Sequence, residues 1–202
     1  MLIVCMAMLL GQAAADPRLN TLPTAAKLTG RLTKIAVATA DLPDYEVERD
    51  RGSYRSLLPG RVAATREQYF ARKMDATHFR RLNVDLCLGE TDDVAASTFR
   101  SYWRSVASKD AWVPGLPRGR QLIGADECRH TPLRSGPDMG NYGVMIRKGS
   151  FTARIIMQGL RWEPGVRTWI APLGDSDIKL VESVARKLIA KYHHKPYTIP
   201  AP

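Results

Sequence analysis

The stretch 142–157, YGVMIRKGSFTARIIM, restricts the fold more than any other part of the chain. Tyr142, Val144 and Ile146 fall on one side of the first arm, and Phe151, Ala153, Ile155 and Met157 on one side of the second. Alternation with a period of two is the signature of a strand with one buried face. Between the arms stands Lys148-Gly149, where glycine is free to take the positive φ of a tight turn. The expectation is an antiparallel hairpin whose apolar face must be covered by another layer.

Other segments extend this sheet. FRRLNVDLCLG (79–89) alternates too, with Val84, Leu86 and Leu88 on one face and Asp85 and Cys87 on the other. VAATREQYFARKM (62–74) reads as a strand because Tyr69 and Phe70 favour the pleated state and a clear strand follows it. YEVER is a candidate first strand, and DRGSYRSLLPG (50–60) reads as irregular and turn-rich. QLIGADEC supplies a short strand, and HTPLRSGPDMG (130–140) reads as a loop. Two helices stand out. The one at about 92–107 begins with Asp92-Asp93 and has an Ala95, Phe99, Tyr102, Trp103, Val106 stripe. The other, at about 176–193, begins with acids, ends with bases and has an Ile178, Val181, Ala185, Leu188, Tyr192 stripe. The expected class is α+β, a mostly antiparallel sheet covered on one face by these two helices. The domain reading is a signal peptide at 1–15, an irregular N-terminal segment at 16–60 packed on the domain, a single α+β domain at 61–194 and a tail at 195–202.

The first ten residues, MLIVCMAMLL, are apolar but too few to span a bilayer, and Ala13-Ala14-Ala15 supplies the small residues a signal peptidase needs. This predicts an exported protein, periplasmic or secreted. Lipid modification of Cys5 is the less favoured variant, since Val4 stands where a small residue is expected. Export leaves two cysteines, Cys87 and Cys128, and an even count in an oxidising compartment reads first as a disulfide. Such a bridge would stabilise the fold by roughly 3–4 kcal/mol in the chain-entropy account. Inert thiols, or a catalytic or metal-binding Cys128 beside His130 in GADECRH, are the alternatives.

The chain carries 30 Lys and Arg against 20 Asp and Glu, a formal net charge of +10. Basic pairs such as Arg80-Arg81 and Arg186-Lys187 are scattered, and no nucleic-acid-reading motif accompanies them. A solvated basic surface is the plainest reading. Attraction to anionic envelope polymers, lipid headgroups or an acidic protein is the functional one, and nucleic acid is not an expected partner. No G-x-S-x-G elbow, phosphate-binding loop or H-E-x-x-H is present. No catalytic residue, metal ligand or cofactor is assigned on motif grounds. The segment 160–172 places Arg161, Trp162, Arg167 and Trp169 together, a combination suited to a contact loop.

LIGADEC, the pair YGVMIRKGSFTARIIM and a closing amphipathic helix are similar to small exported bacterial α+β proteins of unassigned role. In element order this stretch, roughly residues 60 to 194, resembles extracytoplasmic sensor domains and the PsbP-like fold. The resemblance implies a sheet with a groove for a ligand or partner and carries over no functional residue. Three functions are expected from these readings. The first is an exported non-catalytic domain binding a small ligand or cell-envelope protein, with its groove beside loop 160–172. The second is a thiol-dependent or hydrolytic enzyme using Cys128 and His130. The third is a basic adaptor for anionic envelope polymers or lipids.

Overall fold

The computed structural model describes residues 23–58, 61–107, 124–133, 141–163, 166–168 and 173–192. The chain runs α1 (Pro23–Ile35), a short 3₁₀ turn at Thr39–Asp41, β1 (Glu46–Leu58), β2 (Arg61–Lys73), β3 (His78–Gly89) and α2 (Asp92–Ala107). It continues with β4 (Glu127–Leu133), β5 (Asn141–Lys148), β6 (Phe151–Glu163), β7 (Val166–Thr168) and α3 (Asp175–Lys191). The sheet is antiparallel in the order β1-β2-β3-β6-β5-β4, with the short β7 pairing β6. The connection through α2 carries the chain from β3 to the far edge, and β5 and β6 then return to close against β3.

The hairpin forms as its pattern demands. Lys148 pairs with Phe151, and Gly149 takes φ 53°. Alternation then sorts the sheet into two faces. Leu82, Val84, Leu86 and Leu88 of β3 share one face with Val144 and Ile146 of β5 and with Phe151, Ala153, Ile155 and Met157 of β6. Leu28, Leu32 and Ile35 of α1 and Val181, Val184, Ala185, Leu188 and Ile189 of α3 cover it, completing the main core. Burying each of the larger of these, the Val, Leu, Ile, Phe and Met side chains, contributes roughly 1.5–3 kcal/mol. Of the sequence-expected stripe on α3, Ile178 is half-buried and the remaining members are core.

The α+β class and the antiparallel sheet hold, but the two main helices do not share a face. Cys87 and Ala63 point to the opposite side, where they cluster with Val94 of α2. The Thr152 hydroxyl, on that same side, donates to the Ala95 carbonyl at 3.1 Å. The sheet is therefore covered on both sides, by α1 and α3 on one and α2 on the other. Gly89 permits the tight entry to α2, because a Cβ there would stand 2.8 Å from the Val94 Cβ. Ala95 and Phe99 of the expected α2 stripe are buried, whereas the side chains of Tyr102, Trp103 and Val106 lie outside the described residues.

Segment 16–60 is more regular than its turn residues suggest. It supplies α1 and the thirteen-residue β1, so 50–58 is strand rather than irregular chain. Its hydrogen bonds explain why. Gln68 on β2 is 2% exposed and grips Val37 from both sides, its Oε1 accepting from Val37 N and its Nε2 donating to Val37 O, each at 3.0 Å. Asp41 then accepts from Lys191 Nζ of α3 at 2.6 Å, tying the turn to the last helix. At the other end of α3, the Asp177 carboxylate accepts from Gly174 N and from Arg80 Nε, both at 3.0 Å. His130–Leu133, expected as loop, is the continuation of β4.

Candidate functional site

The expected bridge between Cys87 and Cys128 is overturned, for neither is in a disulfide. Cys87 sits on β3 and Cys128 on β4, and β6 and β5 lie between them. Three interstrand spacings amount to about 14 Å, twice the Cα separation a disulfide tolerates. The faces differ as well. Cys87 is fully buried on the α2 side, 3.8 Å from the Thr98 hydroxyl. Cys128 packs against the main core on the α3 side.

With the crosslink removed, Cys128 and His130 take on another meaning. Positions i and i+2 on a strand share a face. The Cys128 Sγ and His130 Nε2 stand 3.8 Å apart on edge strand β4, both half-buried. Pairing of His130 with Val144 leaves Tyr142 diagonally across on β5, and its hydroxyl meets His130 Nδ1 at 2.6 Å. Tyr142 OH in turn donates to Glu182 Oε1 of α3 at 3.4 Å, and Arg186 one turn on holds the other Glu182 oxygen at 3.1 Å. Three elements thus build a continuous chain from thiol to carboxylate.

Counting donors gives the chain a direction. Burial, followed by the charge of Glu182 and the hydrogen bond to it, and then by Cys128, pushes the Tyr142 phenol well above its usual range. The phenol therefore stays protonated. In the tautomer with the proton on Nδ1, His130 donates to the Tyr142 oxygen, the phenol donates to Glu182, and Nε2 presents its lone pair to the sulfur. An imidazole in that tautomer, with its acceptor toward a thiol, is an arrangement that can generate a thiolate.

The other sequence-expected positions fall elsewhere. Arg161 is exposed and pairs with Thr168, and Trp162 pairs with Arg167, so the first part of the expected loop 160–172 is a β6–β7 hairpin. The side chains of Trp162 and Arg167, and Trp169 altogether, lie outside the described residues, as does the N-terminal segment with Cys5. Asp126 and Glu127 serve architecture. Asp126 Oδ2 accepts from Gly149 N at 2.7 Å, and Glu127 Oε1 accepts from Arg147 Nε at 2.5 Å, fixing the hairpin turn to β4. His78 meets Asp75 at 2.8 Å in the exposed β2–β3 turn. Among the described residues no three His, Cys, Asp or Glu side chains converge as a metal site, and no helix is long and apolar enough to cross a membrane.

Tyr142 and Glu182 are the members that sequence reasoning did not assign. Tyr142 was grouped with the apolar arm of its hairpin, and only the β4–β5 register brings it to His130. Glu182 lies at the rim of the α3 stripe, one residue after Val181, where a half-exposed acid has no distinguishing sign in the sequence. No protein-family model, no curated protein and no solved structure matches this chain.

Proposed function

We propose that the chain works through Cys128 as a nucleophile, with His130 as its general base and with Tyr142 and Glu182 holding that base in orientation. The observation that carries the reading is the 3.8 Å approach of Sγ to Nε2, backed by an imidazole whose other nitrogen is already engaged. The thiol proton passes to Nε2 as sulfur attacks the carbonyl carbon of a small acyl compound. The leaving group recovers that proton from Nε2, and a thioester remains on Cys128. Water, deprotonated by the same nitrogen, then releases the acid and restores the thiol. Position on an edge strand favours access, since among the described residues β4 has no strand on its outer side. Export belongs to this reading as well, supported by the apolar run Met1–Leu10 and the alanines that follow it.

The test is the pH profile of alkylation by iodoacetamide, followed peptide by peptide. Cys87 is fully buried on the other face and serves as an internal control. Cys128 is expected to react fast at neutral pH, well below the ordinary thiol range near about 8.5. His130→Gln should move that profile up to the ordinary range, and hydrolysis of p-nitrophenyl esters should vanish in Cys128→Ser. Identical profiles for the wild type and His130→Gln would overturn the assignment and leave a non-catalytic exported binding domain as the better account.

A further inference from the structure

We infer that the outer surface of α1 and α3 is a docking face for an anionic lipid bilayer, independent of the chemistry at Cys128. The two helices lie on the same side of the sheet and touch each other. The core residues Ala25, Leu28, Leu32 and Ile35 turn one side of α1 inward, and Val181, Val184, Ala185, Leu188 and Ile189 do the same for α3. The sides turned away expose Lys27 and Lys34 on α1 and Lys179, Arg186 and Lys187 on α3. The sequence of α1, PTAAKLTGRLTKI, contains no acid. Of the three acids on α3, Asp177 is buried and Glu182 is half-buried and paired with Arg186, which leaves Asp175 exposed. Together the two helices carry seven bases against these three acids, a local excess of four, with Lys187 and Lys191 also paired to Asp41.

The form of the patch selects the partner. At about 1.5 Å per residue the helices run about 20 and 26 Å, so the bases are spread over a plate and not along a groove. Four of the five are lysines, point charges suited to a diffuse field of headgroups more than to bidentate reading of one phosphate. Ala26, Gly30, Ser183 and Ala190 separate them, and among the described residues no aromatic ring of α1 or α3 stands between them to stack on a base or sugar. Among the described residues the exposed large hydrophobics, Val47 and Met74, lie on other elements, so the attachment proposed is electrostatic.

The experiment is co-sedimentation of the full chain with vesicles of phosphatidylglycerol mixed into phosphatidylcholine, beside vesicles of phosphatidylcholine alone. Binding is expected only to the anionic vesicles, and it should fade as salt rises from about 0.05 to about 0.5 M and the screening length shrinks. Each base near such a surface is worth roughly five-fold, so the triple variant Lys27→Gln, Lys34→Gln, Lys179→Gln should bind about a hundredfold more weakly. A control triple, Arg51→Gln, Lys73→Gln, Arg100→Gln, removes the same charge from exposed positions on other elements and should change binding little. Thermal unfolding checks that both triples are folded. If the lysine triple is not, the three single variants replace it, each expected to lose about five-fold. Equal losses in the two triples would overturn the proposal in favour of net charge alone. Tight retention on a soluble sulfated polymer, with no vesicle binding, would overturn it in favour of a polyanion.

Discussion

Replacing Gln68 with methionine tests how the N-terminal segment is held. The side chains are similar in size, so the core next to Phe70 and Leu82 keeps its volume. What disappears is a pair of hydrogen bonds to both backbone groups of Val37, plus a third from Gln68 Nε2 to Asp50 Oδ2 at 3.2 Å. Val37 is 6% exposed, so water cannot replace the lost partners. An orphaned buried polar group costs about 1–3 kcal/mol, and burying a thioether in place of an amide returns about 1 kcal/mol. With both Val37 groups orphaned, the net loss should be about 1–5 kcal/mol, read as a fall in the urea midpoint at unchanged slope. Gln68→Glu adds a sign. As a carboxylate it cannot donate to Val37 O and stands beside Asp50, so its folded pKa rises above the unfolded value. Stability is then greatest below the unfolded glutamate pKa and declines as pH rises through the folded pKa. A methionine variant within about 0.5 kcal/mol of wild type, or a glutamate variant with no change in its deficit across that window, would refute this account of the anchor.

Asp41 offers the opposite sign. Burial alone would raise its carboxyl, but hydrogen bonds from Lys191 and Ala38 N and the charges of Lys191 and Lys187 bring it below its ordinary value. A depressed folded pKa contributes stability above the unfolded value near 3.8 that is lost as pH falls through the folded one. Asp41→Asn should therefore be less stable than wild type at neutral pH and equal to it in strong acid, as followed by thermal midpoints. Two glycines should respond in opposite directions to alanine. Gly30 lies in exposed helix with nothing within 4 Å of a new Cβ, so alanine should stabilise by up to about 1 kcal/mol. Gly89→Ala would press on Val94 at 2.8 Å and should destabilise by about 1–3 kcal/mol, measured by the same melts.

Legibility in this chain follows the range of the interaction. Alternation and end charges are local, and they located β3, β5, α2 and α3 within a residue or two of their ends, while β6 runs on to Glu163, past the alternation that ends at Met157. The continuation of β1 past Asp50 was not legible, because Arg51, Gly52 and Ser53 carry no apolar alternation and become strand by pairing with β2. Strand order was equally hidden. A hairpin announces its own register, but nothing local records that β4 is laid down at the far edge from β1, or that α2 takes the face opposite α3.

That hidden order decides what the sulfur atoms can do. Parity along β3 already put Cys87 on the face away from Val84, Leu86 and Leu88, and parity along β4 puts Cys128 with His130. Each half of this statement is local, but a disulfide is a claim about the distance between two strands, and β6 and β5 intervene. The same spacing that forbids the bridge isolates Cys128 from the second thiol, so oxidation of one cannot be resolved by the other within the chain. Tyr142, diagonal on β5, gives the His130 imidazole a hydrogen-bond partner, and Glu182 at the edge of α3 extends the contact to a carboxylate. The cysteine count alone predicts a crosslink, whereas the sheet order separates the two sulfurs and leaves Cys128 beside His130.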